Sequence, residues 1–595
     1  MFKTALGSFL FFLPFSSLFF LKEKKKHLLF LIFFIISFYS LASVFLQSLK
    51  IFYYDIFLIL TLAFDSLFFF LFFKRKREII FPRLKEVFFF SLVILVSFSS
   101  LWQVHYRYTG KINFVTDIEP RYHEVKNFRY PYPYFSDEWY AILLVNYSLK
   151  NHSLPFYDSL NQTPFLNFEF LFHSFLSGLM LLFNLDPLLS FVPFSIFFNI
   201  LIVLLIYLFL RLNNFSSLSS SLFSLFALYL TSGANLPGLW HLLPIHFGII
   251  FFLLTLCFLT LKDFLKSFLS IIFSFLFYPP LFPFCLLFIL SLFFQNLSFF
   301  KEKFFSKKFL SFFLIFFLIL VFFFLFLSQE WKEIIFSKIF FQSSYGLNFK
   351  PDINPFYIIP FPVILFLILG LFDVFQKNKT LFFIFLLGAL FWSFYSFSSQ
   401  RFFIEYERIV FFVSILSFLI SAFGWQKIKI YLEKKIKKGK KIIILCEVFI
   451  LFLILLITPF YTQREDWKTI TVTNKITKKK LFPKAPANEY LTDDDLRIFQ
   501  GIKNKRILTL PWKGTVLAVA SENDPLIVKE GTMAKGQPKI LDDFLRANCQ
   551  QKKEMIKKMK IDYLYLDQDF SCLGIKKIAR SKEGLILYKS EIKNE

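Results

Sequence analysis

The sequence lacks a Walker loop, a dinucleotide-binding glycine fingerprint and any histidine or cysteine spacing typical of a metal centre. These absences count against ATP-driven transport by this chain alone, and neither a metal nor another cofactor is expected. No internal repeat of fixed period is visible, which removes solenoid and propeller architectures. Acidic residues are few, 41 Asp and Glu against 67 Lys and Arg, giving a formal charge of +26. A basic nucleic-acid binder gathers such charge on a soluble face, whereas here the clusters lie between apolar runs, so no nucleic-acid partner is expected.

What the chain has is apolar length. Its 595 residues are 56% hydrophobic with a mean hydropathy of +0.59, beyond the range of a protein with a polar surface. About twenty residues cross a bilayer, and the stretches 28–48, 51–73, 86–104 and 442–460 approach that length almost uncharged. The 98 phenylalanines are read as compositional bias without functional meaning. The first apolar run, 5–21, has no basic segment beyond Lys3 and no small-residue cleavage site, so it reads as a helix and not as a signal peptide.

Orientation follows from the basic clusters. Lys22 with Lys24–Lys26, then Lys74–Arg77 with Arg83 and Lys85, then Lys301–Lys308, then Lys427–Lys441 should share the cytoplasmic side. The helix 86–104 then leads outward, and the loop of about 105–168 is external. Further spans are expected at 190–210, 215–231, 244–261, 264–278, 282–296, 309–327, 356–372, 380–397, 409–426 and 442–460. Parity holds if the short run 170–184 does not cross, so it is expected to lie at the membrane surface. Tyr278-Pro279-Pro280 fits two short helices or one kinked helix equally. After 460 the composition becomes soluble, with strands expected at 506–510, 561–566 and 585–588 and a helix at about 540–560.

The expectation is an α-helical polytopic membrane protein of about fourteen transmembrane helices. Its divisions are 1–104, a first set of helices; 105–189, an external loop with juxtamembrane helices; 190–460, a helix bundle; and 461–595, a small extracytoplasmic α/β domain. Cys257, Cys285 and Cys446 fall in apolar runs and read as buried hydrophobes. Cys549 and Cys572 lie in the soluble part, and their pairing is open.

Chemistry is sought first in the external loop. Pro131 and Pro133 hold Tyr130–Ser136 extended, and a helix is expected from Asp137 to about Lys150. Ser136 or Asp137 capping that helix, with Glu138 complementing its dipole, would explain the acids. Alternatively, a carboxylate beside an aromatic belt at the headgroup plane can act as a general base. Late in the chain, Arg401, Glu405 and Arg408 share one face if helical, and paired arginines suit phosphate oxygens. A salt-bridged helix end with snorkelling arginines is the plain alternative. His152, His173, His241 and His246 read as interfacial polar residues. Asp55 is near the external end of its span and hydrated, while Asp65 lies deeper, where a carboxylate is costly.

The helix entering a long loop, the Ser136-Asp137-Glu138-Trp139 helix, Leu154-Pro155-Phe156-Tyr157-Asp158, and Phe168-Glu169-Phe170-Leu171-Phe172-His173 with its short helix together resemble the GT-C class of membrane glycosyltransferases. The Arg401–Arg408 stretch and the run Lys560–Leu566 with Gly584–Tyr588 are similar to late segments of uncharacterised bacterial members. The chain departs from better known members in having no Asp-x-Asp pair in the loop and no Trp-Trp-Asp signature. The resemblance implies an inverting transferase at the plasma membrane, moving a sugar from a polyprenyl-phosphate donor to a glycan, lipid or protein acceptor on the outer face, among membrane lipids. It implies Asp137, with Glu138 second, as catalytic base, and Arg401, Arg408, Glu405, Tyr134 and His173 as substrate-binding residues. The rivals are a lipid or polysaccharide transporter or flippase using Asp65, a surface-polysaccharide polymerase or ligase, and a structural membrane protein.

Overall fold

The computed structural model describes the chain apart from residues 1, 21–23, 74–83, 115–120, 159–162, 165–166, 230–238, 296–339, 343–348, 352–360, 399, 403, 405, 437–438, 458–471, 475–479, 482–486, 529–536 and 593–595. The span expected at 309–327 and the Lys301–Lys308 cluster lie outside the described residues.

The chain opens with α1 (Phe2–Phe12) and a 3-10 segment, then α2 (Lys24–Ser48), α3 (Tyr54–Phe73) and α4 (Leu84–Tyr106). β1 (Tyr108–Phe114) and β2 (Arg121–Phe128) follow, then α5 (Ser136–Asn151) and the short pair β3 (Tyr157–Asp158) and β4 (Thr163–Pro164). The bundle continues through α6 (Phe170–Phe183), α7 (Pro187–Leu212), α8 (Ser217–Leu225), α9 (Pro244–Thr260), α10 (Phe264–Phe277) and α11 (Phe282–Gln295). β5 (Phe340–Gln342) and β6 (Phe349–Pro351) precede α12 (Phe361–Lys377) and α13 (Lys379–Ser398); β7 (Gln400–Phe402), α14 (Tyr406–Lys435) and α15 (Gly439–Ile457) follow. Four of the described helices, α2, α4, α7 and α14, are long and apolar enough to cross a membrane, and several shorter helices are as apolar. The break after Tyr278 resolves into two helices, α10 and α11, joined by a 3-10 turn at Pro279–Leu281.

Charge gathers at one end of this bundle. Glu86 at the start of α4 meets Arg211 at the end of α7 (2.9 Å) and Lys25 at the start of α2 (3.2 Å). Glu447 of α15 is buried against Lys429 of α14 at 3.1 Å, and also accepts from Trp425 Nε1 and the Ser219 hydroxyl of α8. An uncompensated charge there would cost about 3–5 kcal/mol, so these contacts fix which helix ends lie together. The long α14 is further set against α12 by Gly370 and Gly424, where an added Cβ would strike the carbonyls of Ile420 and Phe366. Helix α6, expected at the membrane surface, is buried on nearly every side among its neighbours.

At the opposite end the soluble part meets the long loop. Beyond β8 (Val472–Asn474) and β9 (Lys480–Leu481), β10 (Ala487–Glu489) pairs in parallel with β1, Ile112 opposite Ala487. Tyr130 Oη accepts from the amides of Tyr490 and Leu491 at 3.1 and 3.0 Å. The helices α16 (Asp493–Ile498), α17 (Pro511–Ala520), α18 (Gln537–Arg546) and α19 (Cys549–Met559) accompany a mixed sheet in the order β12-β11-β13-β15-β14. Its strands are β11 (Arg506–Thr509), β12 (Asp524–Pro525), β13 (Tyr563–Leu566), β14 (Ile575–Arg580) and β15 (Ile586–Ser590). The single helix expected at 540–560 is two helices, because Asn548 caps the second by accepting from the Gln551 amide. Inside, Lys513 is wholly buried, held by Asp495, by Glu583 at 2.9 Å and by the Tyr490 carbonyl at 3.0 Å.

Cys549 and Cys572 form a disulfide with Cα atoms 5.6 Å apart, leaving Cys257, Cys285 and Cys446 free. Maleimide labelling of the denatured, unreduced protein should therefore modify those three thiols alone, and prior reduction should expose the remaining pair. Modification of all the cysteines without reductant would contradict the pairing.

Candidate functional site

Two carboxylates leave the start of α5 in opposite directions. The preceding prolines keep Tyr130, Tyr132 and Tyr134 on an extended strand-like segment, and Trp139 Nε1 fixes the turn by donating to the Pro133 carbonyl at 3.1 Å. The helix cap is Phe135, which is extended and makes no side-chain cap bond, so the cap position falls one residue before Ser136 and two before Asp137. A phenylalanine reaches that position because its ring is needed elsewhere: it lies 5.3 Å from the Arg408 guanidinium and 5.4 Å from the His241 ring.

Asp137 Oδ2 accepts from Arg408 Nη2 at 3.0 Å, joining residues 271 positions apart. The Asp137 side chain is 44% exposed while that of Arg408 is 9% exposed, so the pair stands at the rim with its cationic partner inward. Arg408 lies in the first turn of α14, where the helix dipole is also positive.

Glu138 points inward and is 1% exposed. Its Oε1 accepts the Leu242 amide at 2.8 Å, while Oε2 makes no hydrogen bond among the described residues. Burial raises its pKa from 4.5 to about 8; the Leu242 and Phe135 amides oppose this, Asp137 adds to it, and Arg408 opposes it. Glu138 is therefore protonated at neutral pH, and it holds the Trp240–Leu243 segment in place instead of serving as an ionised base. That segment carries His241, whose ring is buried between Phe135, Trp240 (4.8 Å) and His246 (4.8 Å). Burial, His246 and Arg408 hold His241 well below the usual imidazole range, so it is uncharged.

The structure thus brings Asp137, Glu138 and Arg408 together and adds His241 and His246, which were expected to be interfacial and are fully buried. Arg401 lies in β7, opposite Phe341 of β5, while α14 begins at Tyr406. The expected single helical face for Arg401, Glu405 and Arg408 does not form, because strand pairing claims the first of them. Glu405 lies outside the described residues. Tyr134 is buried with its ring stacked on His105 (4.9 Å) and Tyr130 (4.8 Å). His173 is buried in α6 with Nδ1 3.0 Å from the Glu169 carbonyl and 3.2 Å from Asn167 Nδ2. Among the described residues no three His, Cys, Asp or Glu side chains are placed to hold a metal ion. Away from this cluster, Asp65 of α3 is buried with neither oxygen hydrogen-bonded among the described residues.

No family model matches the sequence, and no curated protein does. Among solved structures, the chain is similar to the oligosaccharyltransferase AglB from the archaeon Archaeoglobus fulgidus, in complex with an inhibitory peptide and a dolichol-phosphate. The identity is 13% and the TM-score 0.43, over 81% of this chain and 69% of that one. A second structure of the Archaeoglobus fulgidus oligosaccharyltransferase, in complex with Zn and sulfate, gives 11% and 0.43 over 84% and 73%. A TM-score of 0.43 leaves the chemistry to be argued from the residues of this chain.

Between about pH 4.5 and 8 the folded protein keeps a proton on Glu138 that the unfolded chain has released, so stability falls as pH rises through that window. Glu489, also raised to about 8, acts in the same direction. Thermal unfolding of the detergent-solubilised protein should show a midpoint that declines from pH 6 to 9, and Glu138→Gln should flatten the decline. An unchanged slope in that variant would show that Glu138 is not the buried acid responsible.

Proposed function

We propose that the chain is a glycosyltransferase that takes a sugar from a polyprenyl-phosphate donor at the outer face of the membrane. The observation that carries this reading is the Asp137–Arg408 pair, an exposed carboxylate tied to a buried guanidinium at a positive helix end. The two ends of the bundle support the orientation: the site and the disulfide-bearing sheet lie opposite the Lys25, Arg211 and Lys429 end. Basic helix ends stay cytoplasmic, and disulfides persist in oxidising compartments. On this reading residues 461–595 form an extracytoplasmic domain seated on the external loop through β10 and Tyr130.

In the proposed step an acceptor hydroxyl approaches Asp137, which takes its proton as the oxygen attacks the anomeric carbon with inversion. The bond from that carbon to the phosphate oxygen breaks, and its electron pair leaves on the lipid phosphate. Arg408 stabilises that charge, and its partial burial strengthens the effect because little water screens it. Glu138 positions the neighbouring loop.

Purified protein should retain polyprenyl phosphate in native mass spectrometry, and Arg408→Ala should remove it. Asp137→Asn should keep lipid binding while lowering transfer by about 10²- to 10⁴-fold, the range for loss of a general base. Lipid retention unaffected by Arg408→Ala would overturn the donor site. A second reading, lipid translocation without transfer, is favoured by the unsatisfied Asp65 carboxylate within α3. It predicts loss of function in Asp65→Asn with Asp137→Asn silent.

A further inference from the structure

We infer that His241 and His246 form a subsite for the hydroxyl groups of a sugar ring carried on the phosphate held by Arg408. The inference deepens the transferase reading and rests on it. Both imidazoles are wholly buried, yet His241 Nδ1, His241 Nε2 and His246 Nε2 make no hydrogen bond among the described residues. His246 Nδ1 is engaged by the Leu243 backbone at 3.1 Å, so its ring is oriented with the other nitrogen turned outward from that contact. A buried polar atom without a partner is costly, and a fold tolerates it where a ligand or water will answer it.

The chemistry of the missing partner follows from the imidazole itself. Uncharged, the His241 ring offers one donor and one acceptor. A hydroxyl group also has both a donor and acceptors, so one hydroxyl answers one nitrogen and a second answers the other. A phosphate dianion accepts only, and would leave an acceptor nitrogen of the ring unanswered. The surroundings agree, because Phe135, Trp240 and Phe411 place aromatic rings 5.4 Å and 4.8 Å from His241 and 5.2 Å from His246. The apolar C–H face of a sugar ring packs against such walls while its hydroxyls reach the nitrogens.

The placement also joins the two subsites. Phe135 touches both Arg408 and His241, so a phosphate at the guanidinium and a ring at the imidazoles lie beside the same aromatic side chain. The backbone of the subsite is held from two directions, by Asn199 Nδ2 donating to the His241 carbonyl at 2.9 Å and by Glu138 accepting from Leu242. His241 and His246 are then specificity-determining residues, and Asn199 and Glu138 are positioning residues.

The test compares bare undecaprenyl phosphate with the same lipid carrying glucose, galactose, mannose or arabinose, titrated against full-length protein in nanodiscs. Wild type should bind one of the sugar-bearing lipids about tenfold tighter than the bare lipid, as expected for hydroxyls that satisfy buried nitrogens. His241→Phe, which keeps the ring and removes both nitrogens, should abolish that ratio while leaving bare-lipid affinity unchanged. His241→Gln, which keeps a donor and an acceptor, should retain most of it, and His246→Phe should lower it independently. If His241→Phe preserves the ratio, ordered water and not a sugar answers these nitrogens. If it weakens bare and sugar-bearing lipids alike, the residue serves the phosphate or the packing. Either result overturns the subsite but leaves the transferase reading standing so long as Arg408→Ala abolishes bare-lipid binding. Failure of wild type to bind the bare lipid overturns both.

Discussion

A guanidinium that is nearly buried at the positive end of a helix needs a nearby negative charge, and Arg408 meets that need across 271 residues of sequence with Asp137. The contact constrains more than two side chains. It fixes the start of α14 beside the start of α5, and the glycine contact of α14 with α12 and the Lys429–Glu447 contact near its far end hold the rest of that helix. Neighbouring Glu138 does the opposite work, turning inward and remaining protonated, so adjacent carboxylates at one helix start have separate roles.

The helix positions were legible because bilayer-length apolar runs are a strong signal, and α2, α4, α7 and α15 begin and end close to the expected limits, while α14 starts near its expected limit and runs on to Lys435. The soluble part was legible for the same reason in reverse: its strands follow short β-branched and aromatic runs between turns. What failed were the places where tertiary contacts outweigh local preference. Arg401 was drawn into a strand by pairing with Phe341. The division of 540–560 into two helices was marked in the sequence by Asn548-x-x-Gln551, a capping box that went unread.

At the site, Asp137 and Arg408 were legible as residue types that suit base and phosphate chemistry, although not as partners. Their meeting depends on how the bundle closes. His241 and His246 were visible as polar residues in an apolar context, the signal that ordinarily marks function within a membrane protein. Their burial, and the absence of hydrogen-bond partners for three ring nitrogens among the described residues, are properties of packing alone. The resemblance ranks Glu138 second to Asp137, and burial distinguishes the two in the fold.

The account stands on the site lying at the outer face of the membrane, and side-specific labelling tests that most directly. Lys150→Cys, at the exposed far end of the helix that carries Asp137 at its start, in a Cys446→Ser background gives a single accessible thiol about 20 Å along α5 from the site. A membrane-impermeant maleimide applied to intact cells should label it fully. Labelling only after the membrane is permeabilised would place the Asp137–Arg408 pair on the cytoplasmic side and contradict the account.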